Sequence, residues 1–277
     1  MIKKFILVNI LVILILALFL IVLTFFDLTV SELLYNPNSN FAKFFEDFGE
    51  LPGWLIAPFV VACLFFRFNK LWVKIIAAIL LPVANYFWAN HILNAFSLDK
   101  LVHYIILAIL ITTSSLALIL SFKKIGKKTL NVLFIVLLAG GLFVLADNAI
   151  VQLLKIIWGR VRYRDLRDNF SYWFIPKGIT KNKSFPSGHT SSACALLIVI
   201  LFCKYYSLPK WTKIALIVFS AAFIIQVALT RIIIGAHYAT DVIFAILLAY
   251  ILFSIADKIA KKFIKKEKEK QYEYNQS

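Results

Sequence analysis

Eight times along this chain an apolar run is long enough, or nearly long enough, to cross a lipid bilayer. That limits what the chain can fold into before any motif is considered. A helix needs about 20 apolar residues to traverse the hydrocarbon core. Residues 5–26, 101–122, 131–154, 190–203 with their flank, 214–229 and 242–255 meet or approach that length, while 51–66 and 71–96 are shorter or more broken. Hydrophobic residues make up 62% of the chain and mean hydropathy is +0.87. Ordinary domains stay near 45–50% apolar, so a soluble globular domain is excluded. The expected fold class is all-α, a polytopic transmembrane helix bundle.

Charge sets the expected orientation. A formal charge of +16 would point to nucleic acid in a soluble protein, but here its distribution follows the membrane. Lys and Arg gather at residues 67–74, 123–128, 204–213 and 258–270, whereas the segment from Asp27 to Glu50 has Lys43 as its single cation among six charged residues. The positive-inside rule then places both termini and the basic loops in the cytoplasm of a cell-membrane protein. The loop from Lys155 to Ser187 is basic yet falls on the outer side, which implies that its charges have another task. The first run is preceded by Lys3 and Lys4 but exceeds a signal-peptide core and lacks a small-x-small cleavage site, so it reads as an uncleaved anchor. Cys63, Cys194 and Cys203 all lie within spans and read as small core residues, with no disulfide framework. Three regions are expected: N-terminal spans over 1–70, a catalytic helix bundle over 71–257, and a basic cytoplasmic tail over 258–277.

Polar residues recur inside the later spans: Asn85, Asn90, His91, Asp147, Asn148, Gln152 and Gln226. At membrane depth such groups face the bundle interior, where hydrogen bonding between helices is as good an explanation as contact with a substrate. On a continuous helix Asn148, Gln152, Lys155 and Arg162 would share one face.

Three polar clusters carry the chemistry. Lys155 and Arg162 are seven residues apart, and an Arg fork with a Lys point charge suits phosphate oxygens. Arg160, Arg164 and Arg167, in the same stretch, read as interfacial anchors. Next, Pro186-Ser187-Gly188-His189 precedes an apolar run: Ser187 can cap that helix, Gly188 admits close backbone approach, and the helix start is an anion site. His189 lies at its rim, and histidine is suited to give a proton to a leaving group. In the third cluster Arg231 is followed by His237 and Asp241. Four apart on a helix, the carboxylate could accept from one imidazole nitrogen and leave the other as a nucleophile, although for the pair alone a structural His–Asp hydrogen bond at a helix junction is the default reading. Gly235 marks a break between two helices.

Together the three clusters resemble the signature of the type 2 phosphatidic acid phosphatase (PAP2) superfamily, whose pattern is lysine, six residues, arginine-proline; proline-serine-glycine-histidine; and serine-arginine, five residues, histidine, three residues, aspartate. Tyr163 stands for the proline and Thr230 for the serine; neither change removes a reacting group. The match covers about the last 130 residues. The resemblance implies a six-helix PAP2-like core, here with two extra N-terminal spans. It also implies a metal-independent lipid phosphatase without a cofactor, in which His237 attacks phosphorus, Asp241 orients it and His189 protonates the leaving oxygen. Lys155, Arg162, Arg231, Ser187 and the Gly188 N–H would hold the phosphate. The partner would be a lipid phosphate of the undecaprenyl pyrophosphate, phosphatidylglycerophosphate or phosphatidic acid class, within the membrane and with no nucleic acid. Trp158, Tyr163, Tyr172 and Trp173 suit an interfacial belt. A phosphotransferase on the same site is the alternative. A transporter is disfavoured because the cations and histidines cluster at one mouth.

Overall fold

Within hydrocarbon a backbone must close its own hydrogen bonds, and among the described residues the elements are helices without a strand. The structure is a computed structural model that describes residues 2–167 and 170–276, with residues 2–6, 270–272 and 274–276 described by backbone alone. In chain order the helices are α1 (Ile2–Thr24), α2 (Asp27–Leu34), α3 (Asn40–Phe48), α4 (Leu51–Arg67), α5 (Leu71–Leu93), α6 (Lys100–Lys123), α7 (Lys127–Trp158), α8 (Gly188–Ala193), α9 (Ile198–Tyr205), α10 (Lys210–Ile233) and α11 (Ala239–Gln276).

Among the described residues eight helical stretches are long and apolar enough to cross a membrane, as the sequence led one to expect. Two are composite: α3 and α4 run together through a bend at Gly49, and α8 and α9 are joined by a 3₁₀ turn at Cys194–Leu197. Large apolar side chains on the bundle surface, such as Leu14 and Leu18 of α1, Ile79 of α5 and Phe219 of α10, are exposed by protein and so suit contact with lipid. The protein is a multi-pass membrane protein.

The main core lies between α7, the α8–α9 span, α10 and α11, with Val136, Phe143, Leu201, Val227 and Ala249 buried in it. Outside that core α4 packs on α5 and α7, α5 on α6, and α1 against α11. Interhelical hydrogen bonds accompany this packing: Asn85 donates to Ser115 Oγ at 3.0 Å, and Ser191 Oγ donates to Asp147. This fits the hydrogen-bonding reading of the buried polar residues. All three cysteines are buried and free.

At 32 residues α7 is about 48 Å long, more than a bilayer core of about 30 Å. It is thus long enough to reach past the apolar layer, and its last turn carries Lys155 to the mouth of the bundle. There the short helices α2 and α3, the loop 159–187 and the α10–α11 junction meet.

Candidate active site

Glycine ends α7 and so organises the first cluster. Gly159 has φ +56°, the left-handed turn that closes helices. A side chain there would also meet Gly178 O at 2.4 Å. The chain leaves the helix at this point, so the expectation of one helical face for Asn148, Gln152, Lys155 and Arg162 is corrected. The first three lie on α7, whereas Arg162 comes from extended backbone beyond it.

The turn also sends Arg160 inward rather than to the interface, a second correction. Its side chain is 0% exposed and sits over the Tyr238 ring at 4.1 Å. Arg160 Nη2 donates to Asp27 at 2.8 Å, Nη1 donates to Asp241, and Nε donates to the Ser171 carbonyl at 2.9 Å. Asp27, from α2, accepts in addition from Thr240 N at 2.9 Å. A buried guanidinium thus joins two buried carboxylates, one on each side.

The second cluster folds as its sequence suggests. Ser187 is the N-cap of α8: its Oγ accepts from Thr190 N at 3.4 Å and lies 2.9 Å from Thr190 Oγ1. Gly188 allows Lys155 to approach, since a Cβ there would lie 2.7 Å from Lys155 Nζ. His189 occupies the first turn, half-buried. Its Nδ1 is 2.9 Å from Glu50 Oε1 and its Nε2 3.0 Å from the Glu46 carbonyl.

In the third cluster the helix breaks where expected: α10 ends at Ile233, Gly235 has φ +65°, and α11 begins at Ala239. His237 lies in that junction and Asp241 in the first turn of α11, so the two do not share a helix. Asp241 Oδ2 is 3.8 Å from His237 Nδ1, too far for a hydrogen bond. His237 Nδ1 instead donates to the Ser184 carbonyl, while Ser184 Oγ donates to Asp241 Oδ2 at 2.6 Å. Tyr238 N donates to that same carboxylate oxygen at 2.9 Å. The expected direct orientation by Asp241 becomes an indirect one through Ser184.

With Nδ1 carrying the donated proton, His237 Nε2 keeps its lone pair, and among the described residues it has no hydrogen-bond partner. Burial is the largest cause that pushes the His237 imidazole down to about 3, and the Arg231 and Lys155 charges add to it against Asp241. The ring is therefore neutral at physiological pH.

Cations converge on this imidazole. Arg231 is buried, and among the described residues its Nε and Nη1 have no partner, while Nη2 reaches Glu46 Oε1 at 3.3 Å. Arg162 and Lys155 lie close enough for their charges to act on each other and on Arg231. Lys155, Arg162, Gly188, His189, Arg231 and His237 are thus gathered at one mouth, with Asp241 behind His237 and Ser187 committed to its cap.

Sequence reasoning missed Asp27, Glu46, Glu50, Arg160 and Ser184. Their signal was indirect: the acidic bias of residues 27–50 complements the basic loop that broke the positive-inside rule.

One solved structure, described as the first transmembrane PAP2 type phosphatidylglycerolphosphate phosphatase from Bacillus subtilis, aligns at 18% identity. The alignment covers 88% of this chain and 96% of that chain, with a TM-score of 0.35. The PAP2 superfamily model matches residues 128–265, which include all three clusters. Those residues form a PAP2 superfamily region, which supports reading the protein as a phosphoric ester hydrolase.

Proposed function

We propose that this protein hydrolyses a phosphate monoester or pyrophosphate carried by a lipid, without a metal, at the outer face of the membrane and through a phosphohistidine. The observation that carries this reading is the buried Arg231 guanidinium with two unpartnered donors beside a neutral His237 whose Nε2 is free. Buried donors without acceptors are costly, and a phosphate between Arg231, Lys155 and Arg162 supplies the missing acceptors.

In the reaction His237 Nε2 attacks phosphorus and the P–O bond to the lipid breaks. His189 gives its proton to the departing oxygen. The three cations offset charge on the equatorial oxygens, which is the main contribution a protein can make to phosphoryl transfer. A water activated by His189 then attacks the phosphohistidine, releases phosphate and returns His237 to its resting state. Asp241 and Ser184 hold the imidazole throughout.

A lipid substrate is supported by a cavity of about 430 Å³ that starts at Gly188 and Glu50 and continues between α4, α5 and α7. Trp54, Phe87, Val144 and Leu145 line it. Such a cavity suits an acyl or prenyl chain, in keeping with undecaprenyl pyrophosphate, phosphatidylglycerophosphate or phosphatidic acid. The outer face is supported by the basic loops, which favour the cytoplasmic side.

The test is phosphate release from these lipid phosphates by purified protein in detergent with EDTA present. Wild type is expected to retain full activity, and His237→Ala to lose at least about a thousandfold. Loss of activity in EDTA would sink the metal-free reading, and persistence in His237→Ala would sink the phosphohistidine.

A further inference from the structure

Among the described residues, both nitrogens of His189 face groups that only accept. Nδ1 is 2.9 Å from the Glu50 carboxylate, and Nε2 is 3.0 Å from the main-chain oxygen of Glu46. A neutral imidazole has one donor and one acceptor, so two acceptors are satisfied together only when the ring carries a proton on each nitrogen. That is the form a proton donor must have before the P–O bond breaks.

Glu50 is suited to stay ionised beside it. The residue occupies the bend between α3 and α4, at the N-terminus of α4, where the helix dipole favours negative charge. His189 of α8, His91 of α5 and Lys155 of α7 face it as positive or potentially positive groups, and Arg231 of α10 feels its charge. Although Lys155 and Arg231 are nearby, Glu50 forms its ion pair with His189, at a side-chain exposure of 22% for the imidazole and 23% for the carboxylate. The bond is thus shielded but still open to the mouth of the site. Glu50 lies outside residues 128–265, so nothing in the matched segment accounts for it.

We propose that Glu50 is the positioning residue of His189: its carboxylate holds the imidazole by Nδ1 so that the Nε2 proton can be delivered to the leaving oxygen. This rests on the reading of His189 as proton donor given above. In the resting state Nε2–H is directed at the Glu46 carbonyl, and the ester oxygen of a bound substrate takes that carbonyl's place. As the P–O bond breaks, its electron pair goes to the oxygen, the Nε2 proton follows, and the ring becomes neutral while Nδ1–H stays on Glu50. In the second half-reaction Nε2 recovers a proton from the attacking water. The carboxylate fixes the plane of the ring through Nδ1–H, as an Asp does for a catalytic imidazole elsewhere.

Two substrates with the same phosphoryl group separate this role from a structural one. A diacylglycerol phosphate leaves as an alkoxide that needs a proton, whereas p-nitrophenyl phosphate leaves as a stable phenolate that does not. With the full chain in detergent, Glu50→Gln is expected to lower kcat/KM on the lipid phosphate about a hundredfold, but less than about tenfold on the aryl phosphate. His189→Asn should give the same split more steeply, and Glu50→Asp should recover part of the loss on the lipid. Equal losses on both esters, or no loss on the lipid, would overturn the proposal. Should Glu50→Gln fail to fold, Glu50→Asp is judged by the same split. The parent reading fails separately: if wild type cleaves neither ester, or His237→Ala cleaves both, the phosphohistidine route is wrong and the role of Glu50 falls with it.

Discussion

At the scale of single residues, the site works by giving two histidines opposite surroundings. His189 is partly buried between two hydrogen-bond acceptors, whereas His237 is buried beside Arg231 and Lys155, which disfavours its charged form. In the proposed reaction the first is the acid and the second the nucleophile, a division of roles that differing environments can impose on like side chains. A consequence for stability follows from linkage. His237 lies between α10 and α11, and its folded-state value of about 3 is below the ordinary 6.5. The unfolded chain therefore binds this proton first. The stabilisation is present above about pH 6.5, shrinks as pH falls below it, and is gone once pH passes through the folded value. The unfolding temperature in detergent should thus fall between pH 6.5 and 4 more steeply in wild type than in His237→Gln. Parallel profiles for the two proteins would show that the imidazole is not buried neutral. The residues that meet at the mouth were legible in the sequence because each sits in a short cluster of distinctive composition. Arg160 was not, since an arginine just past an apolar run has the same local pattern whether it snorkels to the interface or turns inward.

What decides between those two outcomes is an element boundary, and boundaries are where a sequence says least. Gly159 was visible as a residue, but the loop segment at Gly178 and Thr180 that packs against it lies about 20 residues further on. The same holds for the α10–α11 junction: the break at Gly235 could be read, yet the position of His237 before the first turn of α11 removes the helical spacing expected for His237 and Asp241. Spans, in contrast, were readable because about 20 consecutive apolar residues constrain a helix without help from distant contacts. Gly159→Ala tests the importance of the α7 terminus. A left-handed alanine costs roughly 1–2 kcal/mol, and the clash with Gly178 O adds overpacking of about 1–3 kcal/mol. The substitution should lower the unfolding temperature by several degrees and reduce phosphate release at least tenfold through displacement of Arg160. Should thermal stability and activity both match wild type, α7 does not need that turn to place Arg160.

For the whole molecule, the segments that precede the PAP2 region are part of how the site is held. Trp173 of the loop donates to Thr24 Oγ1 at 2.8 Å, α3 packs on α10, and Glu46 and Glu50 reach Arg231 and His189. The deepest link is Asp27 to Arg160 to Asp241, all nearly inaccessible. Its charges sum to minus one, so its two halves are unequal. Arg160→Gln leaves two buried carboxylates facing each other with no cation, which should cost at least the 3–5 kcal/mol typical of breaking a buried pair. Asp27→Asn leaves a neutral Arg160–Asp241 pair with its hydrogen bonds nearly intact and should cost much less. Combined with Arg160→Gln, Asp27→Asn removes one of the two repelling charges, so the double variant should be more stable than Arg160→Gln alone. The coupling expected from a double-mutant cycle of unfolding free energies is at least about 1 kcal/mol, and activity should stay low because Asp241 has lost its anchor. Strictly additive losses would mean that α2 and the α10–α11 junction fold as neighbours without sharing this charge network. A rescue would show that a helix more than a hundred residues before the motifs takes part in setting Asp241 behind His237.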